Sequence, residues 1–231
     1  MSAGGRTFDA VLFDLDGTLV DSLDDIANAA HAVRTAIGLT ALTDARIRSF
    51  IGDGARRLVA RTLADDFAGT VADGLLEDGY RHFQEAYRHD LTRYTRPYPG
   101  VIDCLAALRA RGVRLGVVTN KPIDFTWPIL HALDLQRWFE VVVGGDSATQ
   151  AKPHAAPVLQ ALHALKVPPE RALMVGDGRN DLLAAAAAGC ASVLVRYGYD
   201  LAGAEATGIR PLLSTDSLVA LPALIENPEH D

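Results

Sequence analysis

The chain has 231 residues, of which 49% are hydrophobic and 22% charged, and its formal net charge is −7 at pH 7. This composition is typical of a folded protein with one or two domains and not of a disordered chain. The negative charge argues against nucleic acid as a partner, because that binding depends on cationic side chains meeting phosphates. An anionic ligand would therefore need local donors and a metal cation.

The chain carries no predicted targeting or membrane-spanning segment. Residues 1 to 7 contain one arginine and lack the apolar core of a secretory signal. The longest weakly polar run, Leu182 to Val195, is shorter than the roughly 20 residues that span a bilayer. We therefore expect a cytoplasmic protein without a membrane partner, acting as a monomer or a homodimer.

Short apolar runs alternate with helical patterns along most of the chain. Ala10 to Phe13 is an apolar run that ends abruptly at Asp14, as a buried parallel strand does. Similar runs follow at Val113 to Val118, Val141 to Val143, Ala172 to Val175 and Ser192 to Val195. The helical patterns between them span Val101 to Arg111, Phe125 to Leu133, Pro157 to Leu165 and Asp181 to Ala188. This alternation predicts an α/β fold with a doubly wound, Rossmann-like parallel sheet.

One interval between strands is too long for a simple crossover. Asp14 and Val113 are separated by far more than the roughly 30 residues of a complete βαβ unit. The interval contains helical patterns at Leu23 to Ile37, Thr43 to Phe50, Ala55 to Phe67 and Val71 to His89. We therefore predict a helical domain of residues 22–92, inserted into a core of residues 1–21 and 93–231. The proline-rich segment Arg96 to Gly100 would be a stiff linker back to the core.

Polar residues follow the predicted strands where parallel strands end. In such sheets, ligands bind at the carboxyl ends of the strands. The candidates are Asp14 and Asp16 after the first strand, Thr119 and Asn120 after the second, Asp177 and Asp181 after the fourth, and Lys152 in a loop before Pro153.

The carboxylates in this set predict a metal site. Three ionised carboxylates at one sheet edge repel one another unless a cation neutralises them. Mg²⁺ prefers a few carboxylates, several waters and a substrate phosphate. We predict Mg²⁺ bound by Asp14, the backbone carbonyl of Asp16 and Asp177, with Asp181 supporting these ligands. Taken alone, Asp177 or Asp181 could equally cap a helix.

The two acids after the first strand also suit phosphoryl chemistry. Asp14 can attack phosphorus and form a labile acyl phosphate, which divides one difficult displacement into two easier ones. Asp16 would protonate the leaving group and then deprotonate the attacking water. The expected phosphate donors are the Thr119 hydroxyl, the Asn120 backbone N–H and the Lys152 ammonium, which would also offset the charge of Asp14.

Four ordered motifs resemble those of the haloacid dehalogenase superfamily. They are Asp14-Leu15-Asp16-Gly17-Thr18-Leu19-Val20-Asp21-Ser22, Val118-Thr119-Asn120-Lys121-Pro122, Lys152-Pro153-His154 and Gly176-Asp177-Gly178-Arg179-Asn180-Asp181. Asp16, two residues after the predicted nucleophile, is similar to the acid that phosphatases and mutases of the superfamily carry and its dehalogenases lack. The resemblance implies a Mg²⁺-dependent phosphatase whose helical insert is a cap that closes over the substrate.

The insert contains a loop that resembles the cap loop of bacterial phosphoglycolate phosphatases. In Ile51 to Arg61, the loop glycines Gly52 and Gly54 precede a helix start, where backbone N–H groups can approach a small anion. Further similar stretches are Val143 to Asp146, Ala188 to Cys190 and Tyr197 to Tyr199. The implied substrate is 2-phosphoglycolate, a small phosphorylated carboxylate. Its carboxylate would meet Arg61 or Arg57, although both arginines could simply lie on an exposed helix face.

Other functions stay open at this point. Within the superfamily they are a phosphatase of another small ester, such as a sugar or amino-sugar phosphate, a pyrophosphatase and a phosphosugar mutase. A non-enzymatic alternative is a receiver-like module that accepts one phosphoryl group on an aspartate. Such a module is smaller and lacks a helical insert. Catalytic phosphate release would distinguish the enzyme from it.

Overall fold

The computed structural model describes residues 8 to 225, so the segment 1–7, which the sequence predicts to lack a secretory signal, lies outside the described residues. The strands are β1 (Ala10–Phe13), β2 (Val20–Asp21), β3 (Arg96–Pro97), β4 (Arg114–Val118), β5 (Val141–Val143), β6 (Ala172–Gly176), β7 (Ala191–Val195) and β8 (Leu213–Thr215). The helices are α1 (Leu23–Ile37), α2 (Asp44–Arg48), α3 (Ala55–Ala64), α4 (Asp73–His89), α5 (Val101–Ala110), α6 (Ile123–Ala132), α7 (Ala156–Leu165), α8 (Arg179–Ala188) and α9 (Leu201–Ala206). Within residues 8–225, no helix has the length and apolar character needed to cross a membrane.

Six parallel strands form the central sheet in the order β5-β4-β1-β6-β7-β8. The strand β1 lies inside this sheet, where Ala10 pairs with Arg114 of β4 and with Ala172 of β6. All four residues of β1 are buried, because helices cover both faces of the sheet. The predicted α/β fold with a doubly wound parallel sheet is confirmed.

Alternate residues of β1 pack into two different apolar layers, one on each face of the sheet. Val11 and Phe13 belong to a cluster that includes α5 and α6, whereas Ala10 and Leu12 belong to a cluster that includes α7 and α8. This division follows from the alternation of side chains along a strand. The sheet is therefore a middle layer whose strand ends are left open to bind a ligand.

Four short elements are absent from the sequence-based prediction. The edge strand β8 has three residues, of which Ser214 is exposed, so it forms no apolar run. The six-residue helix α9 follows the strand β7 without a clear helical pattern. The strands β2 and β3 pair antiparallel, so part of the predicted linker is a strand. This two-stranded ribbon joins the departing and returning chains of the insert.

The insert consists of α1 to α4, which run from Leu23 to His89 inside the predicted range of residues 22–92. The helices α3 and α4 approach closely at Gly79, where an added Cβ would lie 2.8 Å from Cδ1 of Leu63 and 3.2 Å from Cγ1 of Val59. The helix α3 ends at Ala64, three residues before the predicted end, because Asp65 adopts a left-handed conformation with φ of 52°. Residues 22–92 as a separate domain stay a prediction.

Aromatic side chains join the insert to the sheet domain. Phe83 and Tyr87 of α4 lie with ring centroids 6.4 and 5.1 Å from that of Phe125 on α6. All three rings are buried, and edge-to-face packing of this kind adds to the stabilisation that burial provides. The helix α4 therefore forms an apolar wall above the carboxyl ends of the strands.

Candidate active site

Three carboxylates meet at the carboxyl end of the sheet. Asp14 follows β1, Asp177 follows the neighbouring strand β6, and Asp181 lies in the first turn of α8. One oxygen of each carboxylate lies within 4.8 Å of an oxygen of the other two. The sheet order explains this cluster, because β1 and β6 are adjacent although Asp14 and Asp177 are far apart in sequence.

A buried lysine connects two of these acids. Lys152 Nζ lies 3.0 Å from Oδ1 of Asp14, 2.6 Å from Oδ1 of Asp181 and 2.7 Å from the carbonyl oxygen of Val118. These contacts match the three donors of an ammonium group. Burial alone would lower the pKa of Lys152, but the charges of Asp14 and Asp181 outweigh it and raise that pKa. Lys152 is therefore a fixed positive charge beside Asp14.

The cluster carries more negative charge than Lys152 balances. Burial raises the pKa of Asp14 to about 6, with Asp181 and Asp16 adding to the rise and Lys152 opposing it. Burial together with the charges of Asp181 and Asp14 raises the pKa of Asp177 well above its usual range. A hard divalent cation would relieve this repulsion, and carboxylate oxygens are the ligands that it prefers. The donor set therefore fits a metal ion.

The side chain of Asp177 is held in a defined orientation. Its Oδ1 accepts a hydrogen bond from the Thr18 hydroxyl at 3.1 Å, and its Oδ2 accepts one from the Tyr199 backbone N–H at 2.6 Å. Gly17 adopts a φ of +81°, and an added Cβ there would lie 2.5 Å from Oδ2 of Asp177. Glycine at position 17 thus makes the turn and leaves room for the carboxylate.

Asp16 does not belong to the group of three close carboxylates and has its own partners. Its Oδ1 accepts a hydrogen bond from the Ser22 hydroxyl at 2.5 Å. Lys121 Nζ lies 2.9 and 3.0 Å from the two oxygens of Asp16 and 2.6 Å from the hydroxyl oxygen of Tyr87. Asp16 and Asp14 both line the same cavity, so one acid can act beside the other.

Thr119 and Asn120 also line this cavity. The Thr119 hydroxyl oxygen accepts a hydrogen bond from the Lys121 backbone N–H at 3.2 Å, which leaves its proton for another acceptor. The Asn120 side chain accepts from the Lys152 backbone N–H at 2.9 Å and donates to the Lys152 carbonyl oxygen at 2.8 Å. Asn120 thereby positions the loop that carries the lysine.

Comparison with known proteins places the chain in a family. The sequence model of the haloacid dehalogenase-like hydrolases matches residues 8–189. This chain is a haloacid dehalogenase-like hydrolase. The resemblance inferred from the four motifs is therefore confirmed.

Relatives of this haloacid dehalogenase-like hydrolase match it over nearly its whole length. It is 43% identical over 218 residues to the phosphoglycolate phosphatase of Chromobacterium violaceum, covering 94% of this chain and 96% of the relative. It is 36% identical to the phosphoglycolate phosphatase of Nitrosococcus oceani, covering 93% of this chain and 95% of the relative. The crystal structure of a predicted phosphoglycolate phosphatase from Haemophilus somnus superposes with a TM-score of 0.85 at 33% identity, covering 94% of this chain and 97% of that one.

The helical insert of the hydrolase contacts the sheet domain at the predicted glycine loop. Gly52 and Gly54 line the cavity, and the Gly52 carbonyl oxygen accepts hydrogen bonds from the side-chain amides of Asn120 at 2.9 Å and Asn180 at 3.1 Å. Asp53 accepts from Asn180 at 2.6 Å and pairs with Arg179 at 3.1 Å. The loop is therefore held against the core by polar contacts.

Arg61 lies outside the cavity, in contrast to the expectation that it meets the substrate. Its Nε donates to the Phe67 carbonyl oxygen at 2.8 Å, its Nη1 donates to that of Phe50 at 2.9 Å, and its Nη2 pairs with Asp53. The side chain is 4% exposed. Arg57, the other candidate, donates to the carbonyl oxygens of residues 67, 68 and 69. Both guanidinium groups thus bind backbone carbonyl oxygens of the helical insert.

Several residues with contacts at the site received no role from the sequence, among them Lys121, Tyr87 and Tyr199. Lys121 lies in the motif Val118 to Pro122, just past a strand end and beside Thr119 and Asn120, and this position could have predicted its place at the site. Tyr87 has no such signal, because it is one apolar position of an amphipathic helix. Tyr199 follows a later strand at a distance, and only the fold brings its N–H to Asp177.

Proposed function

We propose that the chain hydrolyses 2-phosphoglycolate to glycolate and phosphate through a phospho-aspartyl intermediate on Asp14. The observation that carries the reaction type is the pairing of Asp14 with the buried Lys152 at 3.0 Å, next to a second acid on the same cavity. The substrate is supported by relatives of matching length, at 36% and 43% identity, that are phosphoglycolate phosphatases.

In the first step, a carboxylate oxygen of Asp14 bonds to phosphorus as the bond from phosphorus to the glycolate oxygen breaks. Oδ1 of Asp14 contacts Lys152 and the Leu15 backbone N–H, whereas Oδ2 has no hydrogen-bond donor among residues 8–225. Oδ2 is therefore the oxygen with a free lone pair for attack. Asp16 gives its proton to the leaving glycolate oxygen.

In the second step, water replaces Asp14 at phosphorus. Asp16, now ionised, accepts a proton from the water, whose oxygen bonds to phosphorus as the bond to Asp14 breaks. The Thr119 hydroxyl, the Asn120 backbone N–H and Lys152 would bind the phosphoryl oxygens through both steps. Their places around Asp14 support these roles, and the loop glycines Gly52 and Gly54 would approach the same anion from the cap.

The metal that suits these residues is Mg²⁺. We propose that Asp14, the backbone carbonyl of Asp16 and Asp177 hold it, with Asp181 as a supporting acid. When bound, Mg²⁺ would neutralise charge on the carboxylates and the phosphoryl oxygens. The crowding of Asp14, Asp177 and Asp181 within 4.8 Å supports this assignment.

We further propose that the enzyme works in the cytoplasm as a monomer or a homodimer, without a membrane or nucleic-acid partner. The net charge of −7 supports the last point, because phosphate backbones repel a negatively charged surface.

A substrate panel tests the proposal. The specificity constant kcat/KM would be measured with Mg²⁺ for 2-phosphoglycolate, a hexose phosphate, an amino-sugar phosphate, pyrophosphate and p-nitrophenyl phosphate. We expect 2-phosphoglycolate to exceed the others by at least about tenfold, since a site that pairs its carboxylate discriminates strongly against esters lacking it. A different best substrate would overturn the substrate, and absence of catalytic turnover with every ester would overturn the phosphatase reaction.

A further inference from the structure

The cavity above Asp14 offers few positive charges to a second anionic group. Its walls include Ile26, Leu58 and Phe83 from the cap and Phe125 from the core. Among the cavity-lining residues of the described chain, the cationic ones are Lys121 and Lys152 alone. A substrate carboxylate in such an apolar space needs a charged or hydrogen-bonding partner, because burying it unpaired is costly.

Lys152 is not available for this task. Its three N–H groups contact Asp14, Asp181 and the Val118 carbonyl oxygen, and its place beside Asp14 commits any N–H that changes partner to the phosphoryl oxygens. The cap arginines Arg57 and Arg61 bind backbone carbonyl oxygens and do not line the cavity. Lys121 remains as the cation that faces the space next to the phosphate position.

Lys121 and Tyr87 together offer two donors. The Lys121 ammonium contacts both oxygens of the Asp16 carboxylate, at 2.9 and 3.0 Å, and the Tyr87 hydroxyl oxygen at 2.6 Å. One N–H is enough to keep the pairing with Asp16, so the N–H on its second oxygen can turn to a substrate carboxylate. The Tyr87 oxygen accepts from Lys121, and its own O–H has no acceptor among the described residues. Burial and the neighbouring Asp16 hold the pKa of Tyr87 near 12 although Lys121 opposes the rise, so this proton is retained.

We propose that Lys121 and Tyr87 form the subsite for the substrate carboxylate. This inference rests on the proposed function, since it assumes an ester that carries a carboxylate near its phosphate. In 2-phosphoglycolate only the ester oxygen and one methylene separate phosphorus from the carboxyl carbon, so the subsite must lie beside the reacting acids. Lys121 meets this requirement, because it touches Asp16 and follows Thr119 by two residues.

The two members of the subsite come from different parts of the chain. Lys121 follows the core strand β4, and Tyr87 belongs to the cap helix α4. A carboxylate bound between them would add a contact between cap and core. Substrates with the carboxylate would therefore favour the closed arrangement, in which water is excluded from the acyl phosphate as it forms.

The test compares two substrates of similar size in each variant. These are 2-phosphoglycolate and 2-hydroxyethyl phosphate, which has a neutral hydroxymethyl group in place of the carboxylate. For Lys121→Met, we expect the ratio of their kcat/KM values to fall by roughly ten- to a hundredfold, as loss of a charge-assisted hydrogen bond implies. For Tyr87→Phe, which keeps the ring packing, we expect a fall of a few fold to about tenfold in the same ratio.

Three controls separate the subsite from other roles. Lys166→Met removes the same charge from an exposed position of the core and should leave the ratio unchanged. Lys121→Arg keeps the charge and should restore part of the preference for 2-phosphoglycolate. Thermal unfolding of each variant shows whether it folds. If Lys121→Met does not fold, the result with Tyr87→Phe alone decides whether the subsite exists.

Equal losses with both substrates in Lys121→Met and Tyr87→Phe would overturn the subsite and leave Lys121 as a residue that positions Asp16. This outcome is distinct from failure of the proposed function. If the proposed function fails, the wild-type enzyme itself would show no preference for 2-phosphoglycolate over 2-hydroxyethyl phosphate, and the variants would have no preference to lose.

Discussion

Lys152 Nζ lies 3.0 Å from Oδ1 of Asp14, and both side chains are largely buried. The lysine partly offsets the charge of the proposed nucleophile, whereas burial and two further acids raise the pKa of Asp14 to about 6. Asp14 is thus ionised at neutral pH in surroundings that disfavour a negative charge. An oxygen held in this way is poised to bond to phosphorus, because that step spreads its charge.

Asp14→Asn should abolish turnover while the protein stays folded. The amide lacks the nucleophilic oxygen, and we expect kcat with p-nitrophenyl phosphate to fall by at least about a thousandfold. The thermal midpoint should not fall, because the variant removes one charge from a crowded cluster. Asp103→Asn, an exposed change on α5, is the matched control and should keep full activity. Ordinary activity in Asp14→Asn would refute the phospho-aspartyl mechanism.

Mg²⁺ should stabilise the protein through Asp177. A cation that binds only the folded state at about 100 times its Kd adds about 2.7 kcal/mol to the free energy of unfolding. We therefore expect the thermal midpoint of the metal-free protein to rise by several degrees on titration with Mg²⁺. In Asp177→Asn the rise should need a much higher Mg²⁺ concentration, whereas the exposed change Asp124→Asn should match the wild type. The same titration curve in all three proteins would remove Asp177 from the metal site.

Asp53 should make the stability of the protein sensitive to acid. Burial would raise its pKa, but hydrogen bonds from Asn180 and Arg61 and the charges of Arg61 and Arg179 outweigh this and lower it. A folded-state pKa below the unfolded value of about 3.9 means that the unfolded chain binds the proton first as pH falls. The contribution of Asp53 is therefore complete above about pH 4 and is lost below it.

The variant Asp53→Asn tests this sign. Its free energy of unfolding should be lower than that of the wild type at pH 7, and the gap should narrow as pH falls below about 4. Denaturant unfolding at a series of pH values measures the gap, with Asp103→Asn as the exposed control. A gap that stays constant down to about pH 3 would show that the ionised carboxylate is not what holds the loop.

Arg61 should matter for stability more than for substrate choice. Arg61→Met leaves the carbonyl oxygen of Phe50 without its donor and removes one of several partners from Asp53 and from the Phe67 carbonyl oxygen, and a buried polar group left unpaired costs about 1 to 3 kcal/mol. We expect a lower thermal midpoint and equal fractional losses of kcat/KM with 2-phosphoglycolate and 2-hydroxyethyl phosphate. Arg57→Met, on the same helix, should be milder. A selective loss with 2-phosphoglycolate would instead restore the sequence-based expectation that Arg61 meets the carboxylate.

The parallel sheet and the acidic residues at the carboxyl ends of its strands could be predicted from the sequence, because short apolar runs and the polar residues that follow them determine both. Ala10 to Phe13 is buried on two faces and so is apolar throughout, and the polar residues that follow mark where the strand reaches the edge. The strand β8 was not predicted because Leu213 to Thr215 is short and partly exposed, so it contains no apolar run.

The sequence by itself determined which residues gather at the sheet edge, since strand ends and helix starts follow from the apolar pattern. Only the tertiary structure decided which side chains pair in and around the helical insert, where Tyr87 accepts a hydrogen bond from Lys121 and Asp53 forms an ion pair with Arg61. These contacts join residues on different elements, and their distances depend on how α4 and the glycine loop pack onto the core. A cation in a cap sequence can face substrate or its own backbone, and that choice is made by packing alone.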